Sequence, residues 1–239
     1  MEAANRVSIE LMALPAGTPA FLFDLDGTLI DSVYQHVLAW REALERGGRN
    51  LAVWQIHRRI GMSGGLLVNA LARETGGAVG PTDAEELIQW HAEAFVKYVP
   101  QVRPLPGAVE LLDFLHKAGV PHAIATSGRL ESASRSLKML GVRDDLVVIT
   151  RDQVRYAKPD PDLFLAAAEQ LGVSIHNSVV IGDSVWDLLA ARRARSIGIG
   201  VLSGGYGQEE LERAGAYRVY QDPSDLHAHL DEVGLRIAR

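Results

Sequence analysis

Two aspartates lie two residues apart, directly after a short apolar run near the start of the chain. Ala20 to Phe23 leads into Asp24-Leu25-Asp26-Gly27-Thr28. Because residues i and i+2 of an extended strand point the same way, the carboxylates of Asp24 and Asp26 can face one small site. Gly27 permits a sharp exit from the strand. The pattern predicts an acidic site at the end of a strand, the alternative being an acidic turn.

Two further polar stretches follow later in the chain. Thr126-Ser127-Gly128 comes after an apolar run and before a helical pattern, where hydroxyls and free N–H groups form an anion cradle. Thr and Ser are also ordinary helix caps. Lys158, one of only four lysines, precedes Pro159-Asp160-Pro161 at a loop-to-helix boundary. Its ammonium group could neutralise a phosphate or a carboxylate, or it could simply be solvated.

A fourth stretch, Gly182-Asp183-Ser184-Val185-Trp186-Asp187, places two carboxylates four residues apart. If a helix starts at Ser184, Asp183 is positioned as its N-cap and Asp187 lies one turn further on. The functional alternative is that Asp183 joins Asp24 around a hard cation. Oxygen ligands from a few carboxylates, completed by waters and a phosphate oxygen, suit Mg²⁺.

Short apolar runs alternate with helical patterns along most of the chain. The predicted strands are Ala20 to Phe23, His122 to Ala125, Val147 to Ile149, Val179 to Ile181 and Ser196 to Val201. The predicted helices between them include Ala108 to Lys117, Leu130 to Leu140 and Asp162 to Leu171. This alternation predicts an α/β fold with a doubly wound parallel sheet. Ligands bind at the carboxyl ends of the strands in such sheets, so the four polar stretches should meet at one edge.

The alternation stops between Ser32 and Arg103, where only helical patterns occur. These patterns are Val33 to Arg46, Leu51 to Ile60, Leu66 to Thr75 and Thr82 to Tyr98. Pro100, Pro104 and Pro106-Gly107 mark the exit from the segment. We expect a small α-helical domain, residues 32–103, inserted after the first strand of a core that comprises residues 1–31 and 104–239.

The composition excludes several classes of protein. The 239 residues include no cysteine, which rules out disulfides, thiolate nucleophiles and cysteine-bound metals. The net charge of −6 argues against a nucleic-acid partner. No run approaches the roughly 18 apolar residues of a membrane span, and Met1 to Pro15 lacks the pattern of a secretory signal. We expect a cytoplasmic protein without a membrane partner, and its oligomeric state stays open.

Taken together, the motifs resemble those of the haloacid dehalogenase superfamily of phosphohydrolases. Asp24 to Thr28 is similar to the first motif of that superfamily, Thr126 to the second, Lys158 to the third, and Gly182-Asp183 with Asp187 to the fourth. The helical insertion resembles the cap of the subgroup that contains phosphoglycolate phosphatase and β-phosphoglucomutase. The resemblance implies a Rossmann-like core with a helical cap, and a phosphatase acting on a small phosphorylated metabolite such as phosphoglycolate or a sugar phosphate.

The resemblance also implies catalytic and metal-binding roles. Asp24 would attack phosphorus and form an aspartyl-phosphate, while Asp26 would act as general acid and then as general base. Mg²⁺ would be held by Asp24, Asp183 and the backbone carbonyl of Asp26. Asp187 would contact the cation indirectly, and Thr28 would brace the loop.

The remaining implied roles concern the phosphate. Thr126 and the N–H groups around Ser127 and Gly128 would hold its oxygens, and Lys158 would bridge the phosphate and Asp24. Asp26, the second aspartate of the first motif, would be needed to protonate an alcohol leaving group, whereas a halide leaving group needs no proton. Its presence therefore disfavours dehalogenation.

Substrate choice is expected to lie in the cap. Arg58, Arg59 and Ser63, in the segment between two cap helices, are candidates for substrate contacts, the alternative being solvated arginines beside a loop. Lys97 is the only lysine of the cap and lies near the end of its last helix, which disfavours imine chemistry with the substrate. A β-phosphoglucomutase-like phosphomutase and a non-catalytic phosphometabolite-binding protein are the alternative functions.

Overall fold

The computed structural model of the protein describes residues 17–74 and 80–236. Met1 to Pro15, tested above for a secretory signal, lies outside the described residues, as does Thr75 at the end of the third predicted cap helix. Across the described ranges, every helix is too short or too polar to cross a membrane.

A six-stranded parallel sheet forms the centre of the molecule. The strands in chain order are β1 Ala20–Phe23, β2 Ile30–Asp31, β3 Arg103–Pro104, β4 His122–Ala125, β5 Val147–Ile149, β6 Ser178–Gly182, β7 Ile197–Val201 and β8 Ala216–Tyr220. Their order across the sheet is β5-β4-β1-β6-β7-β8, with β2 and β3 forming a separate pair. All five predicted strands are present. The edge strand β8 was not predicted, because exposed Tyr217 and Arg218 interrupt its apolar pattern.

Helices cover both faces of this sheet, which confirms the predicted α/β class. The helices in chain order are α1 Val33–Arg46, α2 Val53–His57, α3 Gly64–Glu74, α4 Pro81–Tyr98, α5 Ala108–Lys117, α6 Leu130–Met139, α7 Asp162–Gln170, α8 Val185–Ala194, α9 Gln208–Ala214 and α10 Pro223–Ala228. Neighbouring residues of a strand point to opposite faces. Phe21 and Phe23 of β1 accordingly pack with α5, α6 and α10, whereas Leu22 packs with α7 and α8.

The predicted insertion consists of α1 to α4, which share an apolar cluster that includes Val37, Trp40, Ile56 and Leu67. The chain leaves the sheet through β2 and returns through β3, and these two strands pair antiparallel. They lie beside the predicted junctions of the 32–103 domain with the core, but the division into two domains stays a prediction.

Helix α2 is shorter than the predicted span Leu51 to Ile60. The N–H groups of Arg59, Ile60 and Met62 each donate to the carbonyl three residues earlier, so the chain continues in tight turns. Gly61 then adopts a φ of 95°, a left-handed conformation that glycine tolerates better than other residues.

Candidate active site

The loop after β1 is held against the end of β6. The N–H of Asp24 donates to the carbonyl of Ile181 at 2.8 Å. Gly27 has a φ of 85°, and a Cβ built on it would lie 2.5 Å from the carboxylate of Asp183. Glycine is therefore required at position 27 both for its conformation and for the close approach of Asp183.

Lys158 forms the centre of the buried charges. Its side chain is 0% exposed, and its ammonium nitrogen contacts Oδ1 of Asp24 and lies 2.8 Å from Oδ1 of Asp187. Burial alone would lower the pKa of Lys158, but the two carboxylates raise it above its ordinary value. Burial also raises the pKa of Asp24, to about 7, with the charge of Lys158 acting in the opposite direction.

The start of α8 organises the other two buried carboxylates. Ser184, rather than Asp183, occupies the N-cap, and its backbone N–H donates to Oδ2 of Asp187 at 3.1 Å. The alternative of Asp183 as an N-cap is therefore wrong. Instead, Asp183 accepts a hydrogen bond from the hydroxyl of Thr28 at 3.1 Å. Burial raises the pKa of Asp183 well above its usual value.

Asp24, Asp183 and Asp187 each offer an oxygen atom, and these atoms lie within 4.8 Å of one another. Three buried carboxylates face one ammonium group, Lys158, so the ionised group carries an excess of two negative charges. Buried charge is costly unless it is compensated. An oxygen-only donor set with this charge fits a hard divalent cation such as Mg²⁺.

The carboxylate of Asp26 belongs to a different group. It accepts a hydrogen bond from the hydroxyl of Ser32 at 2.6 Å, and its Oδ1 lies 3.4 Å from Nε2 of His36. Nδ1 of His36 lies 3.1 Å from Nε2 of the half-buried His91 on α4. Burial alone would raise the pKa of Asp26, but His36 and Ser32 together lower it. Neither histidine was predicted from the sequence, where only their positions on apolar helix faces could have indicated them.

The predicted phosphate cradle lies at the carboxyl end of β4. Thr126 is buried, and its hydroxyl oxygen accepts a hydrogen bond from the N–H of Gly128 at 3.0 Å. The hydroxyl of Ser127 donates to the carbonyl of Gly61 at 2.9 Å, which joins the cradle to the helical segment. Arg151, after β5, donates its N–H to the carbonyl of Gly128.

The loop after β7 also reaches the site, which the sequence motifs did not predict. The hydroxyl of Ser203 donates to the carbonyl of Gly27 at 2.6 Å. A Cβ on Gly204 would lie 1.7 Å from Oδ2 of Asp183, so only glycine fits there. The position of this loop at the carboxyl end of a strand is the signal that could have identified it.

The three predicted specificity residues lie in different surroundings. Ser63 lines a cavity of about 840 Å³ between the carboxyl edge of the sheet and the helical segment, together with Asp24 and Asp26. Arg58 instead pairs with Glu210, and Arg59 pairs with Glu74. The structure therefore places both arginines in ion pairs. Their contact with the substrate stays a prediction.

A doubly wound parallel sheet with a buried lysine among carboxylates at its carboxyl edge defines an α/β enzyme with an acidic, oxygen-lined site. The sequence model of the haloacid dehalogenase-like hydrolases matches residues 18–195, and the chain belongs to this family. The resemblance inferred from the motifs is thereby confirmed.

Relatives and a solved structure agree with this assignment. The chain is 35% identical to hexitol phosphatase A of Escherichia coli K12 over 73% of this chain and 78% of that protein. It is 31% identical to phosphoglycolate phosphatase of Agrobacterium fabrum over 78% of this chain and 82% of that protein. The crystal structure of a hydrolase from Pseudomonas syringae superposes with a TM-score of 0.88 at 54% identity, covering 90% of this chain and 99% of that one. The protein is a phosphatase of this family that hydrolyses phosphate monoesters of small molecules.

Proposed function

We propose that the protein is a Mg²⁺-dependent phosphatase that works through an aspartyl-phosphate on Asp24, with phosphoglycolate or a sugar phosphate as its type of substrate. The observation that carries the proposal is the buried contact of Lys158 with Asp24, beside Asp183 and Asp187. Lys158 binds Oδ1 of Asp24, which would fix the orientation of the attacking carboxylate.

Asp24, Asp183 and the backbone carbonyl of Asp26 would hold the cation. When bound, Mg²⁺ supplies positive charge that reduces the repulsion between the carboxylate nucleophile and the phosphate. Asp187 has one oxygen near Lys158 and the other on Ser184, so we assign it to orienting the lysine and to indirect contact with the cation. Thr28 would orient Asp183 through its hydrogen bond.

In the first step, Asp24 attacks phosphorus in line and the bond from phosphorus to the leaving oxygen breaks. Asp26 donates a proton to that oxygen. In the second step, Asp26 takes a proton from water as the water attacks the aspartyl-phosphate, which releases inorganic phosphate and restores Asp24. Because His36 and Ser32 lower the pKa of Asp26, its carboxylate is ionised and ready to take a proton in the second step. If the side chain turned away from these two residues, its pKa would rise, which suits the donation of a proton in the first step.

The phosphoryl oxygens would be held by hydrogen-bond donors from the strand ends. The hydroxyl of Thr126, the N–H groups of Ser127 and Gly128, and the ammonium group of Lys158 are the donors for this role. Because Lys158 is buried, it stabilises the charge that develops on the transferring group more strongly than an exposed lysine would.

The proposal is tested by phosphate release from phosphoglycolate, hexitol phosphates and sugar phosphates, with Mg²⁺ and with excess chelator. We expect release only with the cation, and none from Asp24→Asn. The matched control, Asp113→Asn, changes an exposed carboxylate of α5 and should behave as wild type. Turnover that survives the chelator or the Asp24 substitution would overturn the proposal.

The same assay separates hydrolysis from a phosphomutase reaction. Incubation with β-glucose 1-phosphate distinguishes the two, because a mutase would produce glucose 6-phosphate without a matching amount of inorganic phosphate. We expect inorganic phosphate to account for all the substrate consumed.

A further inference from the structure

The cavity that holds the candidate site is much larger than a phosphoryl group requires. Its volume is about 840 Å³, near the upper end of the roughly 300–1,000 Å³ typical of sites for drug-sized ligands. A phosphate ester of a two-carbon alcohol would leave most of this space to water. The size of the cavity therefore points to a larger alcohol part.

One wall of the cavity is apolar. It is formed by the helical segment and includes Met62, Leu66, Ile88, Phe95 and Val96. Leu66 is 38% exposed and Val96 is 52% exposed, so both side chains have apolar surface available to a ligand. A ligand body with an apolar surface would bury both side chains, and burial of apolar surface is favourable.

The opposite wall is basic. It is formed by the loops after β4 and β5 and by α6, and it carries four arginines: Arg129, Arg135, Arg151 and Arg155. Arg151 is used in the fold, because its guanidinium donates to the carbonyl of Val154 at 2.6 Å. Arg129 faces Asp152 at 3.9 Å.

Arg135 and Arg155 differ from the other two arginines. Over residues 17–74 and 80–236, neither forms an ion pair with a carboxylate, and both are exposed. Of the other acidic residues on this wall, Asp160 pairs with Arg193, which leaves Glu131 as the remaining negative charge. The wall thus presents an excess of positive charge to the cavity.

We propose that the substrate is a phosphate monoester whose alcohol part has an apolar body and carries a second anionic group, which Arg135 and Arg155 bind. The inference rests on the proposed function, since it assumes that the phosphoryl group lies at Asp24, but it replaces phosphoglycolate or a simple sugar phosphate as the type of substrate by this larger ester. The body of the substrate would cover Leu66 and Val96, and the second anion would face the basic wall. Guanidinium groups bind carboxylates and phosphates in a bidentate manner, so the second group is of that class.

The test uses two series of phosphate esters with matched chain lengths. One series is the ω-carboxyalkyl phosphates, of which phosphoglycolate is the shortest member, and the other is the n-alkyl phosphates. For wild-type protein with Mg²⁺, we expect the ratio of kcat/KM for the carboxylated ester to that for the neutral ester to rise with length and pass through a maximum. The length at the maximum gives the distance from the phosphoryl group to the basic wall.

The Arg135→Gln/Arg155→Gln double variant tests whether these two arginines bind the second anionic group. At the optimal length we expect the ratio of kcat/KM to fall about tenfold, the size expected for losing hydrogen bonds to a charged group. Lys138→Gln is the matched control, because Lys138 is an exposed cation on α6 that does not line the cavity. Its ratio should equal that of wild type.

A second variant pair tests the apolar wall. Val96→Ser should lower kcat/KM for the longer n-alkyl phosphates about threefold to fivefold, the effect of losing roughly one buried methylene contact. Val53→Ser replaces an exposed valine of α2 outside the cavity and should have no effect.

The outcomes separate this inference from the proposed function. Phosphate release from neither series, nor from the phosphate panel above, would count against the proposed function. If both series are hydrolysed but the ratio stays flat with length, or is unchanged in the double variant, the second-anion site is wrong and the phosphatase activity stands.

Discussion

The carboxyl edge of the sheet and the walls of the cavity above it are built in opposite ways. At the sheet edge, Asp24, Lys158 and Asp187 are buried and hold one another by direct contacts. On the cavity walls, Arg135 and Val96 are exposed and keep surface available to a ligand. Under our two proposals, the chemistry would be set by a fixed network, whereas substrate choice would depend on side chains that few internal contacts constrain.

The largest effect should follow from Asp24→Asn. An amide cannot act as the attacking carboxylate, so we expect kcat to fall at least about 10³-fold, compared with about tenfold for the cavity walls. Steady-state kinetics on the best substrate of the panel provides the measurement. If kcat fell no further in Asp24→Asn than in the variants of the cavity walls, the sheet edge and the cavity walls would not differ in the way described.

Lys158→Met tests how strongly the sheet edge depends on charge balance. Removing the ammonium leaves two buried carboxylates without their partner, and breaking a buried pair in this way costs about 3–5 kcal/mol in the free energy of unfolding. Urea denaturation without Mg²⁺ measures this cost. Lys117→Met, at an exposed lysine paired with Asp113, should change the free energy of unfolding by less than about 1 kcal/mol. Equal costs for the two variants would contradict the buried-network account.

Adding Mg²⁺ should stabilise the sheet edge in particular. At a concentration of 100 times Kd, a ligand that binds only the folded state adds about 2.7 kcal/mol, which appears as a higher Tm. We expect Asp183→Asn to abolish most of this increase, because it removes a proposed ligand. Asp145→Asn, an exposed carboxylate paired with Arg143, should retain the increase. An identical rise in Tm for both variants would place the cation elsewhere.

The smallest effect is expected at the contact between the helical segment and the sheet edge. Arg58 pairs with Glu210, and its guanidinium lies 4.3 Å from the ring of Tyr206. Because this pair is partly exposed, Arg58→Ala should cost about 1 kcal/mol or less in unfolding free energy. The ranking of substrates in this variant and in Arg59→Ala tests the predicted role of both arginines in substrate choice. A ranking that is unchanged in both variants would contradict that role.

The residues that meet at the carboxyl edge of the sheet could be predicted from the sequence, because each motif is a short run of residues directly after a strand. Asp24 and Asp26 follow one apolar run and Asp183 follows another, and parallel strands bring their ends to one edge. The sequence could not show that Asp26 turns toward Ser32 and His36, because that contact depends on how α1 packs over the loop. It also could not separate paired Arg58 from unpaired Arg135, since pairing is decided by distant residues such as Glu210.

The central claim, that Asp24 carries the phosphoryl group during turnover, is tested most directly by trapping the intermediate. Asp26→Asn should slow the second step, because the amide cannot take the proton from water, whereas an aryl ester such as p-nitrophenyl phosphate, whose leaving group needs no proton, keeps the first step fast. After rapid acid quenching of this variant with substrate and Mg²⁺, peptide mass spectrometry locates the phosphoryl group. The account predicts a phosphorylated peptide with the modification on Asp24. Phosphorylation of another residue, or turnover in wild-type protein without any covalent phosphoenzyme in rapid-quench samples, would contradict it.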